Sequence, residues 1–66
     1  MLTANQVPAV PLGTPLCVNG KRTYFFAGHI VMNDTLFIKI DPEKWAAKRG
    51  LFTDTLTFTA NTFTLS

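Results

Sequence analysis

The sequence predicts a mainly β protein, a small antiparallel sheet or barrel of about five to six short strands with one two-turn helix and an extended N-terminal arm. Three observations lead there. Leu and Phe alternate with Thr near the C-terminus, in Thr55-Leu56-Thr57-Phe58-Thr59 and again in Thr62-Phe63-Thr64-Leu65-Ser66, and period two is the signature of a half-buried strand. Thr supplies ten of the 66 residues, a bias toward pleated surfaces. Asn19-Gly20 separates two runs of strand-forming residues, the strongest short hairpin signal, because both central positions of a type I′ turn need positive φ.

Residues 1–15 read as the arm and residues 16–66 as a single β domain. Pro8, Pro11 and Pro15 each fix φ and push the preceding residue toward extended geometry. Leu2, Val7, Val10, Leu12 and Leu16 make the segment apolar, so it suits laying across a neighbouring surface. On this reading, deleting residues 1–14 leaves the β structure intact and abolishes assembly.

After the Asn19-Gly20 turn, Arg22-Thr23-Tyr24-Phe25-Phe26 is aromatic and β-branched, and Gly28 permits a bend or bulge. Residues 29–32 and 35–40 form a further strand pair around Asn33-Asp34, a turn with a less favourable second residue than Gly. Asp41 then reads as a helix N-cap, Pro42 as the first helical position and Glu43 as a partner of the positive dipole end. Lys48 and Arg49 suit the last turn and Gly50 the position just past it. Trp45 and Ala46 are expected to face the sheet. Folding the C-terminal strands about Ala60-Asn61 sets Phe58 opposite Phe63 and Leu56 opposite Leu65, so a terminal hairpin is expected.

A domain this small buries little core, and such domains are commonly held by disulfides, metals or partners. Cys17 is the single cysteine and His29 the single histidine, so neither a disulfide nor a Cys/His zinc cluster is expected. Association remains. The charges point the same way. They make up 15% of the chain and all ten lie between Lys21 and Asp54, leaving both ends without the charge that usually blocks edge pairing. Either the termini fold back onto the domain, or one or both lie against another chain, and the second is favoured.

Catalytic groups are sparse. His29 reads as an ordinary strand residue, Cys17 as a small core residue, and Asp34, Asp41, Glu43 and Asp54 as turn or cap residues. A Cys17–His29 pair is conceivable across neighbouring strands, without a third group to orient it. No glycine-rich phosphate loop is present. The expectation is therefore no enzyme, no cofactor and no metal. There is no signal-peptide pattern and no apolar run of membrane-spanning length, which suits an intracellular or virion location. The six basic residues, net charge +2, include Lys21, Arg22 and Lys39, which form the candidate nucleic-acid face among Tyr24, Phe25 and Trp45.

From Ile40 to Phe58 the pattern resembles the swapped-hairpin DNA-binding modules of the AbrB and MazE type, which run strand, Pro-started short helix, Gly-Leu exit, then an Asp-led alternating strand. Pro42, Trp45, Gly50-Leu51 and Asp54-Thr55-Leu56-Thr57-Phe58 stand in that order. The resemblance implies an intertwined dimer that binds DNA, with Lys39, and less directly Lys21 and Arg22, near the DNA. The leading expectation is different: a non-enzymatic structural or interaction protein of a larger assembly, homo-oligomeric or mixed, such as a small phage or virus decoration protein. Leu2, Val7, Val10, Leu12, Phe58 and Phe63 are then the partner-binding residues.

Overall fold

The computed structural model describes all residues, 1–66. It is mainly β, as the sequence predicts: five antiparallel strands in one open sheet. The strands are β1 (Pro15–Val18), β2 (Arg22–Met32), β3 (Thr35–Asp41), β4 (Asp54–Thr57) and β5 (Phe63–Leu65), in the order β4-β3-β2-β1-β5. A short helix α1 (Lys44–Lys48) links β3 to β4, and a 3-10 helix (Ala4–Ala9) precedes β1.

Turn chemistry sets the registers. Asn19 and Gly20 have φ of 53° and 67°, left-handed values that Asn tolerates through its short polar side chain and Gly through having none. Val18 pairs with Arg22. Asn33 and Asp34 are likewise left-handed, at 52° and 59°, and Met32 pairs with Thr35 directly across a two-residue type I′ loop. The two strand segments expected on either side of Gly28 are one eleven-residue strand with a register shift between Phe26 and Gly28, which is the bulge that Gly28 permits at φ 127°.

The C-terminal hairpin does not form. β4 pairs with β3, and β5 pairs with β1 through Leu16–Leu65 and Val18–Phe63, so the two strands sit at opposite ends of the sheet. In a flat five-stranded sheet these ends would lie on the order of 19 Å apart. Phe58 and Phe63 nevertheless stack with centroids 5.7 Å apart and planes 14° from parallel. The sheet must therefore curl until its ends approach. The expected Phe58–Phe63 contact exists, but as a bridge across the core between two edges. The hairpin failed because β1 and β3 each offered an edge of matched apolar spacing to a different half of the segment.

Inside the curl lie Leu16, Val18, Phe26, Ile38, Ile40 and Phe63, together with Leu2 and Val7 from the N-terminal segment. That segment is not an extended arm. Residues 4–9 wind into the 3-10 helix, Thr3 N–H donates to Gln6 Oε1 at 2.9 Å, and Leu2 N–H donates to the Phe63 carbonyl at 2.7 Å. Prolines that forbid a regular α-helix accept the short 3-10 turn, and this brings Leu2 and Val7 onto the open side of the core.

Helix α1 is shorter than the two turns expected. The Asp41 carboxylate accepts the Glu43 N–H at 2.8 Å, so the capping acid acts from two residues farther out than an N-cap. Leu51 N–H reaches the Ala46 carbonyl and Gly50 N–H that of Ala47, the paired bonds by which a left-handed glycine closes a helix. Ala46 and Ala47 are buried, whereas Trp45 is 61% exposed. The sheet-facing stripe is thus one residue later than expected, because two alanines let the helix approach β2 closely.

Asn19 ties the β1–β2 turn to the far end of the chain. Its amide donates to Asn61 Oδ1 at 2.8 Å, and its own Oδ1 accepts from Thr62 N–H at 2.8 Å. Asn19→Ala should destabilise the fold by about 2 kcal/mol, combining lost hydrogen bonds with a left-handed backbone penalty. Asn19→Gly should recover the backbone share, and chemical denaturation of both variants reads the two parts separately.

Candidate functional site: an exposed apolar hairpin

The β2–β3 hairpin outruns its neighbours. β1 pairs with β2 only as far as Phe25, with bonds from Gly13 and to Thr14 extending the contact to Phe26. Beyond Gly28, β2 has β3 on one side and no strand on the other. On this free stretch Ile30, Val31 and Met32 are 38%, 64% and 55% exposed. By strand alternation Ile30 and Met32 point to one face, His29 and Val31 to the other. Apolar side chains are thus in water on both faces of one strand.

The backbone along that edge is also open. Met32 and Thr35 flank a two-residue loop and form a hydrogen-bonded pair, so Ile30–Phe37 is the next such pair and His29 and Val31 turn their N–H and C=O outward. The Phe58 N–H bond to the Leu36 carbonyl fits this phase, since Leu36, opposite Val31, must also face away from the pair. Monomeric sheets usually guard such an edge with Lys, Pro or a bulge, and the one bulge of β2 lies before the free stretch, between Phe26 and Gly28. Here residues 29–32 carry no Lys, Arg, Asp, Glu or Pro.

On the outer face, the positions flanking Gly28 extend the apolar surface. A Cβ at Gly28 would lie 3.6 Å from Lys39 Cδ and 4.0 Å from Leu12 Cδ2, so these two side chains border the bare backbone there. The Lys39 ammonium sits 5.0 Å from the Phe52 ring centroid, a cation–π contact on an exposed ring. A shallow groove of about 230 Å³ lies elsewhere, between the 3-10 helix and β5, lined by Leu2, Ala9, Val10, Pro11 and Leu65 with polar Gln6 and Thr14.

The sequence-derived residues fare unequally. Leu2, Val7 and Phe63 are buried in the chain's own core and present nothing to a partner. Val10 and Phe58 pack partly against that core, and Leu12 alone of the six is exposed. Lys21 and Arg22 stand at the β1–β2 loop, Arg22 over the Tyr24 ring at 5.5 Å. Lys39 pairs with Gly28, six residues along β2 from Arg22, roughly 20 Å away. The three do not share a face. Cys17, expected in the core, is half-buried and opposite Thr23 and Thr64, and six residues of β2 separate it from His29, again roughly 20 Å. No group of three His, Cys, Asp or Glu side chains could hold a metal ion, and no helix is long and apolar enough to cross a membrane.

Sequence reasoning placed the hairpin around Asn33-Asp34 but missed that its β2 edge is left open. Residues 29–32 read as an ordinary strand, and only the absence of charge on them signalled an unguarded edge. Compared with protein-family models, curated proteins and solved structures, the chain matches none of them.

Proposed function

We propose that this chain is a non-enzymatic interaction protein that works within a larger protein assembly and docks through the tip of its β2–β3 hairpin. The observation that carries the reading is the exposure of Ile30, Val31 and Met32 on both faces of a strand whose outer edge is unpaired. Large apolar side chains exposed together at one strand tip mark a candidate interaction site, and an open edge adds main-chain hydrogen bonds to it. The division of the basic residues between the β1–β2 loop and the Lys39–α1 region favours protein over nucleic acid as the partner, since phosphate binding needs cations gathered on one face.

The test is a double variant, Val31→Asp with Met32→Asp. Both side chains are already in water, so folding should be retained, with an unchanged far-ultraviolet circular dichroism spectrum. In cells that make the protein, the wild-type chain should elute with an assembly and the variant as a free small species. Undiminished incorporation of the folded variant would rule out the hairpin as the docking element.

A further inference from the structure

We infer that the partner at this edge is a second copy of the chain, with the two β2 strands pairing antiparallel about a twofold axis at Ile30. This deepens the docking proposal and rests on it. Each chain presents outward N–H and C=O groups at only two residues of the free stretch, His29 and Val31. In an antiparallel pair the outward residues of one strand must oppose those of the other. Three registers satisfy this. Centring on His29 drives the partner against the end of β1 near Phe26, and centring on Val31 sets His29 against Asn33 in the turn. Centring on Ile30 places His29 opposite Val31 twice over and uses every outward group, four hydrogen bonds in all.

Side chains agree with that register. Ile30 meets its own copy in a non-hydrogen-bonded pair, where side chains approach most closely. Met32 falls opposite Gly28, which has no side chain and is bordered by Leu12 and the Lys39 stem, so a long apolar side chain meets an apolar notch. Charge does not oppose the match, because the stretch from Ala27 to Met32 contains no Lys, Arg, Asp or Glu, and the residue that meets its own copy at the axis, Ile30, is uncharged. A twofold contact of this kind is self-complementary and closes after two chains. A standard interface buries about 800 Å² per partner, about a fifth of this chain's 4223 Å² surface. A four-residue edge with Leu12 supplies less than that, so the dimer is weak and exchanges with monomer at micromolar concentrations.

Sedimentation equilibrium of the full chain across micromolar to millimolar concentrations should give a monomer–dimer equilibrium. Val31→Pro removes an N–H that faces only the outer edge, so the fold survives while the dimer dissociation constant rises at least tenfold. In a Cys17→Ser background, Ile30→Cys should form an interchain disulfide under mild oxidation, since paired Cα atoms in such a position lie about 4.5 Å apart. Met32→Cys should not, its two copies being four residues out of step. A chain that stays monomeric throughout, a Val31→Pro dimer of wild-type strength, or Met32→Cys cross-linking as fast as Ile30→Cys would each overturn the inference. Failure here combined with loss of assembly in the Val31→Asp, Met32→Asp variant would leave the hairpin docking onto a different protein.

Discussion

Replacing Phe63 by Ala should remove a large part of the protein's stability and lower its melting temperature steeply. The ring is fully enclosed by the core and stacks on Phe58 at 5.7 Å. Its strand β5 is only three residues long. Truncating a buried Phe costs about 3–5 kcal/mol, against a total stability of about 3–10 kcal/mol for a domain of this length. The effect is amplified by position. Phe63 carries the last strand onto β1, and its carbonyl accepts the Leu2 N–H, so loosening it frees both ends of the chain together. Phe63→Leu keeps most of the volume and should cost far less, which separates cavity formation from loss of ring stacking. Thermal unfolding followed by circular dichroism distinguishes the two, and a Phe63→Ala protein melting within a few degrees of wild type would mean the core does not depend on this closure.

Removing residues 1–9 should be nearly as damaging. Leu2 and Val7 are both buried in the main core cluster, and full burial of such side chains contributes about 1.5–3 kcal/mol each. The truncated chain would expose Phe63 and its neighbours to water and lose the Leu2–Phe63 hydrogen bond. Its expected state is a loosely packed sheet with collapsed amide dispersion in a proton–nitrogen correlation spectrum. A well-dispersed spectrum and wild-type melting would restore residues 1–15 as a detachable arm. Leu2→Ala and Val7→Ala, tested singly, show which side chain holds the segment.

That second prediction reverses what the sequence alone suggests, and the reason is physical. Prolines forbid a regular helix or a central strand, and apolar residues without charge demand cover, but neither property says whether the cover comes from the same chain. The Asn19-Gly20 and Asn33-Asp34 turns, the Gly28 bulge and the Gly50 helix exit were legible because each depends on the backbone freedom of one or two residues. The partnering of β4 and β5 was not. Leu56, Phe58, Phe63 and Leu65 have the right period for pairing with each other, and equally for pairing with Ile38 or with Leu16 and Val18. Local pattern fixes which face is apolar, whereas the choice of partner follows from which edges remain open once the rest of the sheet has formed. The docking edge was hidden for the same reason. Ile30, Val31 and Met32 look like core until one sees that β1 ends before reaching them.

The pairing of β5 with β1 also has a consequence for how the protein is made. Strand β1 spans Pro15–Val18, yet one of its two neighbours arrives 45 residues later at Phe63. Contacts between segments so distant in sequence form slowly, because a long loop must close before they are gained. During synthesis β1, β2 and β3 emerge first and can pair, but the interior stays open until β5 is released. The nascent chain then adds a temporary open edge on β1 to the permanent one beyond Gly28. Crowding on polysomes therefore tests this protein more severely before its last strand appears than at any later time.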